Sequence, residues 1–212
     1  MTAAKKLFLY SLSISDDQLD ELDNLIGKKR KEITLGLILN ATDIIENSES
    51  WVGGMTESLR SKGYTTKTID LSKWLTSDIG LQATLADNDA LWVCGGHTYY
   101  LSYILAETGA DKIIQNLVRH GKVYAGWSAG AVVAGPTTKH FDEMGDDPNE
   151  VPKIILTGLN LTDKVIVPHI DNIDFEKGAL LTNSKLLKDN YKTVALKDDE
   201  VYVVNGDSEK VM

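Results

Sequence analysis

The chain has 212 residues, 42% hydrophobic and 25% charged, which suffices for one large domain or two small ones with a buried core. Thirty-one acidic against 22 basic residues leave a formal charge of −9. That balance argues against nucleic acid and anionic membranes as partners, because the only basic cluster, Lys28-Lys29-Arg30-Lys31, reads as solvated cations at a helix C-terminus. Cys94 is the sole cysteine, so an intrachain disulfide and a multi-cysteine zinc site are excluded, and a reducing compartment is expected. No stretch approaches the roughly 20 apolar residues of a membrane span, and the expectation is a soluble, cytoplasmic protein.

In chain order, Lys5-Lys6 precede a strand over 7–12 rather than a leader, since Ser11 and Ser13 break the apolar run. A helix rich in Leu19, Leu22, Leu25 and Ile26 and a second strand over 33–39 follow, which is the rhythm of βαβ units. The pattern continues with a helix over 48–61, a strand over 64–69 and a short helix over 79–85. Residues 90–94 form an apolar strand ending in Gly95-Gly96; two helical segments broken near Gly109 then lead to a strand over 122–125. Residues 137–153 are polar and loop-like, a length that points to function. A strand over 165–167 comes next, and the tail, 193–196 and 200–204, reads as a hairpin closing on Asp198-Asp199. Continuous apolar strands separated by helices imply an α/β fold, a mostly parallel sheet flanked by helices on both faces, with one domain over 1–212 and its sites at the carboxyl ends of strands.

Gly126-Trp127-Ser128-Ala129-Gly130 fits the Gly-x-Ser-x-Gly nucleophile elbow and follows an apolar strand, which makes Ser128 a candidate nucleophile. A sharp strand-to-helix turn needs hydrogen-sized neighbours on both flanks, and it aims the following N–H, that of Ala129, toward an oxyanion. The alternative is a small-residue turn that only packs a strand on a helix. A serine hydroxyl needs a base, and the base needs a group to fix its tautomer. Of the four histidines, His169 follows the strand 165–167 and Pro168, a strand's carboxyl end. His97 follows the double glycine and would shape the substrate pocket, His120 suits a helix's last turn, and His140 lies in the acidic loop. Gly96 would supply a second oxyanion N–H, or else the glycine pair serves close packing. Cys94, inside an apolar strand, reads as buried and inert.

Together with residues 37–42, Leu-Ile-Leu-Asn-Ala-Thr, the segments 93–98, 126–137 and Val167-Pro168-His169 resemble the peptidase E, or aspartyl dipeptidase, family of serine peptidases, related to the cyanophycinases. The resemblance covers most of the chain. It implies a three-layer sandwich like that of class I glutamine amidotransferases (flavodoxin-like), with serine in place of their cysteine, and a Ser-His-acid triad. Carried over by motif, the triad is Ser128, His169 and an acid in the loop after the elbow helix: Glu143, with the adjacent Asp142 as alternative. His97 stands where the family commonly has Asn. Aspartyl dipeptidases place substrate-binding arginines after the histidine, whereas residues 170–177 here contain Asp171, Asp174, Glu176, one lysine and no arginine. An N-terminal aspartate side chain would meet like charge there. The expectation is a serine peptidase acting on small peptides, requiring no metal or cofactor; self-association as a homodimer stays open. Two alternatives remain, an idle family member that binds small ligands and an α/β-hydrolase esterase.

Overall fold

Alternation within a single strand sets the layers of the molecule. In β1 (Lys6–Tyr10), Leu7 and Leu9 join one apolar cluster while Phe8 and Tyr10 join another on the opposite face, because successive strand side chains point to opposite sides of the sheet. Residues 3–212 are described by the structure, a computed structural model. The chain continues through α1 (Asp16–Ile26), β2 (Thr34–Ile38), α2 (Glu49–Ser61), β3 (Thr65–Ile69), α3 (Leu81–Ala86), β4 (Ala90–Val93), α4 (Thr98–Glu107) and α5 (Ala110–Arg119). After β5 (Val123–Trp127) and the short α6 (Ala129–Val132) come β6 (Lys164–Val167), α7 (Glu176–Lys188), β7 (Lys192–Ala195), β8 (Val201–Asn205) and β9 (Ser208–Val211).

Seven strands form one sheet in the order β3-β2-β4-β5-β1-β8-β9. The first five are mutually parallel, and β8 and β9 complete the sheet antiparallel. Leu19, Leu22 and Leu25 of α1 and Leu59 of α2 cover one face; Leu81, Leu85, Leu101, Ile104, Ile114 and Val118 of α3 to α5 cover the other. Burial on both faces explains why the central strands read as unbroken apolar runs. Helix α1 starts on a capping box between Ser15 and Gln18 and stops at Gly27, whose φ of 80° is the left-handed C-cap conformation. Among the described residues no helix is long and apolar enough to cross a membrane.

Three features depart from the sequence expectation. The strands flanking Asp198-Asp199 do not pair with each other: β7 pairs in parallel with β6 as a separate two-stranded sheet, while β8 joins β1 and makes its hairpin with β9. Residues 196–200 therefore cross from one sheet to the other. Helix α7 has no counterpart among the elements expected from the sequence, since its buried face is the faint set Ala179, Thr182 and Leu186. The basic cluster is not wholly solvated either: Arg30 turns back onto the acidic side of α1, bonding Asp23 at 2.8 Å and Asp20 at 2.6 Å.

Gly53 lies exposed inside α2, with open space where a Cβ would go. Gly53→Ala is therefore expected to raise stability by about 0.5–1 kcal/mol, since glycine loses the most backbone freedom in a helix. A urea titration reads the effect; an unchanged or lowered midpoint would contradict it.

Candidate active site

The carboxyl ends of three neighbouring strands, β4, β5 and β1, converge on Ser128. Strand β5 hands over to α6 through Ser128, whose φ of 47° and ψ of −110° are rare for a residue with a side chain. The surrounding backbone holds that turn: Ser128 N–H donates to Tyr10 O at 3.0 Å, and Ser128 O accepts from Ala131 and Val132 N–H. Both motif glycines are required by contact rather than by φ. A Cβ on Gly126 would collide with Gly130 O, and one on Gly130 with Val93 O. The buried Tyr124 hydroxyl donates to Gly130 O at 2.7 Å, pinning the elbow from beneath.

Ser128 Oγ lies 2.9 Å from His169 Nε2, and His169 Nδ1 lies 2.7 Å from Asp198 Oδ1. A carboxylate at Nδ1 fixes the proton there and leaves Nε2 as the acceptor facing the serine. Parallel pairing of β6 with β7 creates this contact. Val167 is in register with Ala195, so the two chains leave the small sheet side by side, with His169 two residues beyond one strand and Asp198 three beyond the other. The pairing is prolonged by Leu196 N–H to Val167 O and Ile170 N–H to Leu196 O. His169 has a φ of 65° and is 5% exposed; its N–H donates to the hydroxyl of the fully buried Ser11, 2.9 Å away. Asn172 Nδ2 donates to the second oxygen of Asp198, Asp171 accepts the Asp198 N–H, and Asp198 O accepts from Leu12 and Ser13. The acid is thus tied to both the histidine loop and the end of β1.

Glu143 differs from its expected place. Its carboxylate pairs with Lys185 of α7, and its backbone oxygen packs where only Gly178 of that helix leaves room. Asp142 is also committed elsewhere: its N–H donates to the Tyr99 hydroxyl at 3.0 Å, and its carboxylate accepts from that hydroxyl at 3.2 Å. The loop that carries both acids docks α7, while the acid facing His169 comes from the crossover after β7. His97 also differs from its expected place. It is 4% exposed and caps α4, its Nδ1 accepting the Tyr100 N–H at 3.2 Å. Its Nε2 lies 3.5 Å from Glu150, and the residue is absent from the cavity wall. His120 and His140 bond Asn116 O and Asp189 respectively, away from Ser128.

Ser128 and His169 open into a cavity of about 550 Å³ that Gly96 and Ala129 also line. Among the described residues, neither the Gly96 nor the Ala129 N–H has a protein acceptor. Gly96 has a φ of 137°, and a Cβ there would strike Ala41 O at 2.5 Å, so no other residue fits at this edge. Phe175 lies over the imidazole with ring centroids 5.1 Å apart. Cys94 is fully buried and burial pushes its thiol up to about 12, which makes it a poor nucleophile. Among the described residues, no group of three or more His, Cys, Asp or Glu side chains is placed to hold a metal ion.

Comparison with known proteins agrees with this geometry at the level of family and fold. The model of peptidase family S51 matches residues 8–212. An uncharacterized peptidase of Pasteurella multocida is 30% identical over 212 residues, spanning 95% of this chain and 98% of that protein. An uncharacterized peptidase of Listeria innocua is 36% identical over 129 residues, spanning 57% of this chain and 61% of that one. Among solved structures, a protein of Listeria monocytogenes EGD-e described as a candidate peptidase E superposes with a TM-score of 0.84. It is 26% identical, with 99% of this chain and 98% of the other covered. The α/β sandwich expected from the sequence is the fold observed.

The contact between Gly130 and Val93 O predicts that Gly130→Ala forces the elbow apart at a cost of about 1–3 kcal/mol, as overpacking does elsewhere. Denaturant unfolding monitored by tryptophan fluorescence reads the loss. Unchanged stability would mean that the elbow does not need its second glycine.

Proposed function

Because the chain belongs to peptidase family S51, we propose that it is a serine peptidase of the peptidase E type, acting on small peptides through Ser128, His169 and Asp198. One observation carries the reading: the hydrogen-bonded series from Ser128 Oγ through the imidazole to the Asp198 carboxylate. His169 Nε2 takes the hydroxyl proton as Oγ attacks the scissile carbonyl carbon, and the imidazolium then returns that proton to the leaving amine. Water, deprotonated by the same nitrogen, hydrolyses the acyl-serine ester and restores the hydroxyl. The N–H groups of Gly96 and Ala129, left without protein acceptors at the cavity wall, are assigned to the developing oxyanion.

Asp198 holds the imidazole tautomer and offsets the imidazolium charge. It takes the role that the family resemblance gave to Glu143. Chain order argues against the esterase alternative, because α/β-hydrolases run Ser, acid, His whereas this site runs Ser, His, Asp. A cavity of about 550 Å³ suits a small peptide better than an extended chain. The idle-binder alternative is what the following test addresses.

A fluorophosphonate probe is expected to label the wild type and to leave Ser128→Ala unlabelled; equal labelling of both would remove Ser128 from the mechanism. Asp198→Asn is expected to lower kcat by about 10⁴-fold, the scale seen when a triad loses its tautomer-fixing acid. Glu143→Gln is expected to keep kcat within about threefold, because a partly exposed ion pair contributes little. The reverse ranking of the two variants would return the acid's role to Glu143.

A further inference from the structure

The cavity wall beside Ser128 carries one carboxylate and, apart from His169, no basic group. Apart from the imidazole, the only ionisable side chain on it is Asp146; most of the rest is apolar, including Ile45, Trp51, Trp127, Phe141 and Met144. Asp146 follows Gly145, whose φ of 102° turns the loop inward. Its Oδ2 accepts the Thr98 N–H at the start of α4, 2.9 Å away, and among the described residues it has no ion-pair partner. A carboxylate accepts about four hydrogen bonds, so Thr98 leaves most of that capacity unused. Burial, with the like charge of Glu150, holds the Asp146 carboxyl above its usual range, against the lowering effect of the Thr98 hydrogen bonds and of His97. A charge set among apolar walls, favoured among its charged neighbours only by the nearby His97 and repelled by Glu150, is costly, and a cationic group entering the cavity would reduce that cost.

We propose that Asp146 is an ammonium-binding subsite of the active-site cavity, which selects a substrate whose acyl residue is apolar and carries a primary ammonium group. The α-amine of a peptide's first residue is the most general source of such a group, and a lysine side chain is the other. This rests on the serine peptidase reading and adds the substrate class: peptides with a free N-terminus and an apolar first residue. An N-terminal aspartate fits poorly, because no arginine or lysine lines the cavity and Asp146 repels a second carboxylate.

The test compares kcat/KM for the p-nitroanilides of leucine, N-acetyl-leucine, N-acetyl-lysine and aspartate, in wild type and Asp146→Asn, with fluorophosphonate labelling of Ser128 measured alongside. Asparagine keeps an oxygen for the Thr98 N–H, and the labelling rate and melting temperature report that the elbow and fold persist. Wild type is expected to favour leucine over N-acetyl-leucine by about 10- to 100-fold, the worth of a charge-assisted hydrogen bond. Asp146→Asn should abolish that preference by losing the free-amine substrate alone. N-acetyl-lysine cleaved in preference to N-acetyl-leucine, with the preference lost in the variant, would support the subsite and assign its ligand to the side chain. Equal turnover of leucine, N-acetyl-leucine and N-acetyl-lysine by wild type, equal losses on charged and uncharged substrates in the variant, or a preference for aspartate would each overturn it. Labelling of Ser128 with no discrimination among the four amides overturns the subsite and leaves the nucleophile intact. Absent labelling overturns the serine reading together with the subsite.

Discussion

The close approach of β4, β5 and α6 at two glycines is the constraint on which the site depends. Gly126 touches Gly130 O and Gly130 touches Val93 O, so the strand-to-helix turn is compressed until Ser128 adopts a positive φ. Strain of this kind costs of the order of 1–3 kcal/mol and survives only where the surroundings over-determine it. Here they do: Tyr124 bonds Gly130 O, Tyr10 O bonds Ser128 N–H, and the first turn of α6 bonds Ser128 O. The side chain is held at the open end of the sheet while every neighbouring strand is buried. The same crowding extends to Gly95, where a Cβ would come within 3.1 Å of the Ser128 Cβ.

His169 and Asp198 reach that serine by a second device, a two-stranded sheet placed beside the main one. Parallel strands deliver their carboxyl ends to the same side, so the pairing of β6 with β7 sets His169 next to Asp198 whatever the intervening sequence does. Helix α7 is the crossover such a pair requires, and it is anchored by Lys185 on Glu143 and by the contact of Gly178 with the Glu143 backbone. The acidic loop therefore supports the site at one remove. Within that loop, Asp146 faces the cavity itself.

Much of this was legible in the sequence because it is local. Unbroken apolar runs such as 90–94 marked strands buried on both faces, and the elbow motif marked its own turn. Pro168-His169 after an apolar strand marked a side chain presented at a strand end. The contact of Asp198 with His169 was illegible because it is set by non-local pairing. Two apolar runs around Asp198-Asp199 have the local signature of a hairpin, and only the identity of each strand's neighbour, β6 for one and β1 for the other, turns that apparent hairpin into a crossover. A usable signal did exist: Asp198 stands three residues past an apolar strand, much as His169 stands two past its own. His97 was misplaced for a simpler reason. A residue immediately before a helix can cap it, and the imidazole is spent on the Tyr100 N–H rather than on the cavity. Helix α7 is illegible because Ala179, Thr182 and Leu186 give too small and too polar a stripe to show a period.

The central claim is that Asp198, through His169 Nδ1, orients the base that activates Ser128. Proton NMR of the protein at a pH where His169 is doubly protonated tests it most directly, since a proton held between an imidazolium and a carboxylate 2.7 Å away resonates far downfield of ordinary amides. The resonance is predicted to persist in Glu143→Gln and to vanish in Asp198→Asn. Its loss in Glu143→Gln together with its survival in Asp198→Asn would contradict the arrangement described.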